Sequence, residues 1–205
     1  MNRTRLVVAA LIVFVSSVAV SLAEAQAPTP VRVRGTVEKL EGTNMTVRTA
    51  NGQDMHIKLA DNYGVMGVAR ATREDLASGK YIGTTTVGER DGALVALEVH
   101  IFPENMRGAG EGHYGWDLRP NSMMTNANVA EVTHMGKDPV LTVQYKGGEK
   151  KVLVPENAVI VAFTPTDRGE LKPGAKIFTV AQKQADGTLT AQRVNVGLKG
   201  QVPPM

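Results

Sequence analysis

Two halves of this chain carry the same pattern of turn and apolar residues at a constant offset of 95 positions. The matching segments are 76–79 and 171–174, 91–94 and 186–189, and 96–101 and 191–196. A constant offset that holds across both turn and core positions indicates duplication of a whole folded unit. The repeat therefore constrains the architecture before any single motif is considered.

Within each repeat the apolar residues alternate with polar ones, as in Met45–Thr49, Met55–Leu59 and Leu97–Ile101. A period of two with one apolar side predicts half-buried antiparallel strands. Turn signals separate these strands. Asn51 and Gly52 are an example, because this dipeptide readily adopts the positive φ angles of a tight hairpin.

One segment in each repeat departs from the alternation. Residues 72–79 begin with a capping Thr, carry acidic residues in the first turn and end in Gly, and residues 166–174 are their counterpart. Five or six short strands with one helical turn are typical of a small closed barrel of the oligonucleotide/oligosaccharide-binding (OB) type. The sequence predicts an all-β fold of two tandem duplicated small antiparallel β-barrels, OB-like, each with one short helical turn, over residues 31–102 and 126–197.

The segment Gly35–Val47 and the later Asp-Leu-x-x-Gly turn resemble a domain of unknown function found as single or tandem small β-barrels in exported bacterial proteins. The resemblance covers both repeats and implies the barrel fold, with no activity attached. Chains similar to this one, with segments like His100–Gly108 and Gly110–Tyr114, are sometimes labelled metal transporter permeases. The sequence contradicts a permease, because no stretch after the N-terminal one approaches the apolar length that crosses a bilayer.

The N-terminus has the features of a secretory signal peptide. Arg3 and Arg5 precede an apolar run over residues 6–20, and small residues follow at positions 23 and 25. We expect residues 1–25 to be removed, and the mature protein to be Sec-exported to the periplasm of a bacterium or secreted, without a membrane span. The alternative is an uncleaved anchor, since the apolar stretch is just at the lower limit for spanning a bilayer.

Composition argues against several functions. The chain has 23 Lys and Arg against 20 Asp and Glu, and only 4% aromatic residues. A nucleic-acid surface requires a basic groove interleaved with aromatic side chains, so we expect no nucleic-acid partner. The absence of Cys leaves apolar burial alone to hold an exported chain together. No Gly-x-Ser-x-Gly elbow or other catalytic signature is present, so we expect no enzyme activity.

Residues 103–125 have no counterpart in the other half and contain the chain's single Trp. Such a long connector with aromatic residues is either ordered or functional. Trp116 and Tyr114 could fill the seam between the barrels, or the connector could contact a ligand directly. We take His113, Tyr114, Trp116 and Arg107 as candidate contact residues for an envelope protein or a small ligand.

Metal binding is the alternative. Imidazole and thioether side chains are the donors that an exported copper or zinc site would use, and His56, His100, His113 and Met106 are the candidates. If Ile57, Val99 and Ile101 face the core, alternation turns His56 and His100 toward solvent, where they could converge with His113. Isolated exposed histidines are commonly plain surface residues, so our main expectation is a protein with no cofactor.

The sequence therefore predicts a non-enzymatic exported protein of the bacterial envelope that acts in binding or scaffolding. The alternative function is a periplasmic protein that handles copper or zinc, and an enzyme of unrecognised type is third. The connector is the predicted contact surface. Residues 198–205, which end in Pro-Pro-Met, are expected to be a frayed tail.

Overall fold

The computed structural model describes residues 28–205, so the predicted signal peptide lies outside the described residues. Within this range the chain forms twelve β-strands and four single-turn 3₁₀ helices. The strands are β1 Thr29–Glu41, β2 Asn44–Thr49, β3 Asp54–Arg70, β4 Tyr81–Arg90, β5 Ala93–Ile101, β6 Gly112–Trp116, β7 Ser122–Met135, β8 Asp138–Tyr145, β9 Gly148–Leu153, β10 Val159–Pro165, β11 Lys176–Lys183 and β12 Leu189–Gly197. The 3₁₀ turns are Arg73–Asp75, Glu104–Met106, Arg168–Glu170 and Leu198–Gly200. None of the helical segments between residues 28 and 205 is long and apolar enough to cross a membrane.

Five strands close into a barrel, which we call the first barrel. β1 pairs antiparallel with β2 and β11, β2 pairs with β3, and β12 closes the ring by pairing antiparallel with β11 and parallel with β3. The side chains that alternate inward are apolar, as the sequence pattern predicts. They include Val33, Val37, Val47, Ile57, Leu59, Ile177, Ala181, Val194 and Val196.

The other strands form a second ring of pairings. β4 pairs with β5, β5 with β9, β9 with β8, β8 with β7, and β7 again with β4. This ring has its own apolar core, which includes Ile82, Val99, Ile101, Ala127, Val129 and Leu141. β6 adds to the edge of β7, and β10 joins the two rings by pairing antiparallel with β3 and parallel with β5.

The all-β fold and a closed barrel are confirmed, whereas the strand pairings cross the predicted boundaries at residues 31–102 and 126–197. Strands β1–β3 belong to residues 31–102 and yet pair with β11 and β12 from the other half, while β4 and β5 pair with β7 and β9. Each half therefore contributes a hairpin to the ring of the other half. Turn and alternation signals identify hairpins locally, but hydrogen bonding along a strand edge does not depend on sequence and does not select the partner hairpin.

The offset of 95 positions reappears in the order of elements. The 3₁₀ turns Arg73–Asp75 and Arg168–Glu170 are 95 positions apart, and each precedes the hairpin that crosses to the other ring. Both turns are stabilised by carboxylates. Asp75 accepts the backbone N–H of Thr72 at 2.8 Å, and Asp167 accepts that of Gly169 at 2.6 Å.

Residues 198–205, predicted to be a frayed tail, are packed in the structure. Leu198–Gly200 forms a 3₁₀ turn, Pro203 is buried, and the side chain of Met205 is only 2% exposed. Arg34 Nε donates to the backbone oxygen of Met205 at 2.7 Å. The segment is too short to show a periodicity, but its proline and methionine side chains remove apolar surface from water when they pack.

Candidate functional site

A third apolar cluster lies between the first barrel and the second ring, and we call it the seam cluster. Its buried members come from both sides: Val68, Tyr81, Phe102, Met124, Val161, Phe163, Phe178 and Met205. Beside it opens a cavity of about 620 Å³, here called the seam pocket. A cavity of this size is within the range of pockets that hold small organic ligands.

The seam pocket has one apolar side and one polar side. The apolar side is formed by Phe102, Met106, Tyr114, Trp116, Met124, Phe163 and Phe178. The polar side is the outer face of the β11–β12 hairpin, with Gln182, Gln184, Thr190, Gln192, Arg193 and Asn195. Aromatic walls with a few polar groups suit an amphipathic molecule.

The floor of the pocket is a row of residues on adjacent strands. His100 on β5 pairs with Gly83 on β4, and Gly83 pairs with Asn126 on β7. A β-carbon at position 83 would lie closer than 3.0 Å to both His100 Nε2 and Asn126 Oδ1. The two side chains thus meet above a glycine that must remain a glycine for both to fit.

The burial of His100 contradicts the prediction that it faces solvent. The alternation pattern correctly predicts which face of β5 each side chain occupies. Val99 and Ile101 belong to the core of the second ring, and His100 points to the opposite face. However, that side is covered by the seam, and His100 is only 4% exposed. The rings of Phe102 and Phe163 lie edge-on to the imidazole, with centroids 5.0 and 5.3 Å away.

Glu98 holds His100 from the neighbouring position on the same face of β5. Its Oε2 lies 3.0 Å from His100 Nδ1, and its Oε1 accepts both the backbone N–H of Thr85 at 2.9 Å and the Thr85 hydroxyl at 2.6 Å. Sequence reasoning missed Glu98. The available signal was its position two residues before His100 in an otherwise apolar strand, since alternation places the two side chains on one face.

Asn126 is oriented by its amide nitrogen. Nδ2 donates to the backbone oxygen of Ala109 at 3.2 Å and to the hydroxyl of Tyr114 at 3.3 Å, and Tyr81 donates to the same Ala109 oxygen at 3.1 Å. Because these partners belong to the connector, the amide nitrogen of Asn126 is assigned to the position facing the connector and the amide oxygen to the position facing the floor. Oδ1 is buried there with no hydrogen-bond partner. Sequence reasoning missed this residue too, because an isolated Asn in a strand carries no signal.

Two tyrosines support this arrangement as hydrogen-bond donors. Burial, together with the negative charge of Glu111, raises the pKa of Tyr81 to about 12. Burial also raises the pKa of Tyr114, whose hydroxyl donates to the backbone oxygen of Gly110 at 3.3 Å. Both phenols therefore keep their protons at neutral pH and hold the connector against the floor.

Trp116 forms part of the wall in a cationic setting. The Arg32 guanidinium lies 4.0 Å from the centre of the indole ring, and Asp117 pairs with Arg34 at 2.6 Å. The indole Nε1 is buried without a hydrogen-bond partner. A buried donor without a partner is uncommon in folded proteins.

Only some of the predicted site residues lie together. Tyr114, Trp116, Met106 and His100 line the seam pocket, whereas His113, Arg107 and His56 do not. These three residues make their contacts outside the pocket.

His113 Nδ1 lies 2.8 Å from Thr125 Oγ1, and the imidazole ring stacks on Tyr145. Burial lowers the pKa of His113, and the positive charge of Lys150 lowers it further. Arg107 bonds Glu104 and the backbone oxygen of Gly79.

The predicted convergence of three histidines is not observed. His56 is exposed on β3 beside Thr46, His100 is buried in the seam, and His113 lies against β8. Between residues 28 and 205, no three His, Asp or Glu side chains are grouped so that they could hold a metal ion.

Comparison of the chain with profiles of protein families, with curated proteins and with solved structures finds no match.

Proposed function

We propose that this protein is an exported, non-enzymatic binding protein that holds a small, uncharged, amphipathic molecule in the seam pocket. The observation that carries the proposal is the floor of the cavity, where Asn126 Oδ1 is buried without a partner. Leaving such an acceptor unsatisfied costs about 1–3 kcal/mol, and a ligand that donates to it would remove that cost.

The composition of the pocket walls favours an uncharged ligand. Arg193 is the one Lys, Arg, Asp or Glu side chain among the described residues that line the pocket, and it is exposed. The carboxylate of Glu98 is not part of the pocket lining and is already hydrogen-bonded to Thr85 and His100. An ionic ligand would lose its hydration without gaining a buried counter-charge, which is unfavourable.

Two further parts of the proposal rest on the sequence and on the order of elements. The basic and apolar N-terminus of residues 1–25 supports export. The recurrence of turns and hairpins at the offset of 95 supports duplication, with the second ring as the counterpart of the first barrel. The metal-handling alternative stays a prediction, with no grouped donor set between residues 28 and 205 to support it.

The test is a binding titration with N-phenyl-1-naphthylamine, an uncharged aromatic dye whose emission increases in apolar surroundings. Val180 lines the pocket and is exposed, so V180F should narrow the cavity without disturbing the core. Val202 is also exposed and lies outside the pocket, so V202F is the matched control.

We expect saturable binding of one dye per chain, weakened about tenfold by V180F, which corresponds to about 1.4 kcal/mol, and unchanged in V202F. Absence of saturable binding in the wild-type protein would overturn the proposal. Equal affinity of all three proteins would also contradict it, because the dye would then bind elsewhere.

A further inference from the structure

Glu98 determines the hydrogen-bonding character of the pocket floor through its contact with His100. Glu98 Oε2 and His100 Nδ1 lie 3.0 Å apart, which is a hydrogen-bond distance. An ionised carboxylate has only acceptors, so this hydrogen bond requires that Nδ1 carries a hydrogen. In a neutral imidazole the other nitrogen, Nε2, is then an acceptor with a free lone pair.

The bonds of Thr85 fix this orientation. Its backbone N–H and its hydroxyl both donate to Glu98 Oε1, which leaves Oε2 for the imidazole. Glu98 and His100 are both almost completely buried, so water does not compete for these positions. The carboxylate therefore selects the imidazole tautomer, as a carboxylate does when it fixes a histidine beside a reactive centre or a metal.

The floor consequently presents two acceptors side by side, His100 Nε2 and Asn126 Oδ1, both above Gly83. We infer that the seam pocket selects uncharged ligands that end in a hydrogen-bond donor, a hydroxyl or an amino group, with Glu98 as the positioning residue. This inference rests on the proposed function and adds the chemical group that the ligand must carry.

The corresponding positions in the other half of the chain do not form such a floor. At the offset of 95, Arg193 replaces Glu98, Asn195 replaces His100 and Phe178 replaces Gly83. Phe178 instead packs into the seam cluster as part of the wall. The pair of acceptors is therefore particular to one side of the seam and is not a general consequence of the repeated fold.

The first experiment compares two probes that differ in one donor, 2-naphthol and 2-methoxynaphthalene, by isothermal titration calorimetry. The methoxy compound is the more apolar, so apolar transfer alone would favour it. We expect 2-naphthol to bind about tenfold more tightly, the ratio that one hydrogen bond to a buried acceptor provides. Equal affinity or a preference for the methoxy compound would overturn the inference.

The second experiment repeats the comparison with E98Q. A glutamine at this position keeps the Thr85 bonds through its oxygen, but its amide donates to Nδ1 and so moves the imidazole proton to Nε2. The preference for 2-naphthol should then fall below about threefold, because one acceptor has become a donor. E131Q, at an exposed position of β7, is the matched control and should keep the wild-type ratio. An unchanged ratio in E98Q would contradict the role of Glu98.

A third measurement does not depend on any ligand or variant. Long-range nitrogen-15 NMR of the wild-type protein should show His100 protonated at Nδ1 and unprotonated at Nε2. The opposite tautomer or a doubly protonated ring would overturn the inference.

The binding results distinguish a failure of the proposed function from a failure of this inference. If neither naphthalene nor the dye binds, the proposed function fails, whereas equal binding of both naphthalenes refutes only the donor requirement.

Discussion

His100 Nδ1 lies 3.0 Å from Glu98 Oε2, and both side chains are buried where the two rings of strands meet. Withdrawing a carboxylate from water costs several kcal/mol, and apolar residues would often serve a seam as well or better. Here the carboxylate is compensated by hydrogen bonds to Thr85 and His100, and His100 lines a cavity. Its location is easier to explain by ligand recognition than by stability.

The first prediction concerns Gly83. In G83A the new methyl group would overlap His100 Nε2 and Asn126 Oδ1, so the floor must shift. We expect a loss of about 1–3 kcal/mol in the free energy of unfolding and loss of dye binding. Denaturant titration measures the first effect and fluorescence the second. G64A is the control, since a β-carbon there meets no neighbour within 4 Å; if it destabilises as much as G83A, the close approach over Gly83 is not the cause.

The second prediction tests the exchange of hairpins between the halves. Thr36 on β1 pairs with Lys176 on β11, and the Lys176 amine donates to the Thr36 hydroxyl at 2.7 Å. The chain has no native Cys, so the double variant T36C/K176C offers a single possible disulfide. We expect it to form within one chain and to raise the melting temperature, because it closes a long loop in the unfolded state.

Non-reducing electrophoresis and intact mass reveal the product of that experiment. A disulfide that links two chains would mean that the hairpins exchange between molecules. Failure of the two thiols to pair at all would contradict the pairing of β1 with β11.

The third prediction concerns pH and His113. Burial, followed by the charge of Lys150, lowers the pKa of His113 below its ordinary value of 6.5, so the folded state binds the proton less readily than the unfolded state. The contribution of His113 to the free energy of unfolding should therefore be fully present above that value and decline as the pH falls below it.

Unfolding curves of the wild-type protein and of H113Q between pH 5 and 8 measure this pH dependence. A variant with the same pH dependence as the wild-type protein would refute the assignment. Dye binding at pH 8 should not change in H113Q, because His113 lies outside the pocket.

The fourth prediction concerns Tyr81, which anchors the connector. In Y81F the Ala109 oxygen keeps the Asn126 amide but loses the phenol at 3.1 Å. We expect a loss of about 1 kcal/mol in the free energy of unfolding, since one buried hydrogen bond disappears. The phenol with a pKa of about 12 should also disappear from the ultraviolet titration of the tyrosines. Persistence of that late-titrating group in Y81F would show that it belongs to another tyrosine.

Much of the fold was predictable from local patterns. Alternation located the strands, and the Thr72 and Asp167 regions were correctly expected to form short helical turns. Which hairpin completes which ring was not predictable, because backbone hydrogen bonds are the same for either half and the two halves have similar patterns.

The site was predictable only in part. Tyr114 and Trp116 were expected at a seam or a ligand surface, and they line the seam pocket. The alternation rule correctly placed His100 on the side opposite Val99, but periodicity indicates which face a residue occupies and not what covers that face. Glu98 and Asn126 were missed because acidic and amide side chains in a strand usually indicate a solvated face.

The most direct test of the central claim uses the one tryptophan of the chain, which gives a single indole N–H resonance. We would follow the nitrogen–proton NMR spectrum while N-phenyl-1-naphthylamine is added to the wild-type protein. If the ligand binds in the seam pocket, the Trp116 indole and the Gly83 and Gly110 amides should shift saturably, and the Gly42 and Gly52 amides in the β1–β2 and β2–β3 turns should not change. Binding that leaves Trp116 unmoved, or that shifts the distant turns instead, would contradict a ligand site in the seam.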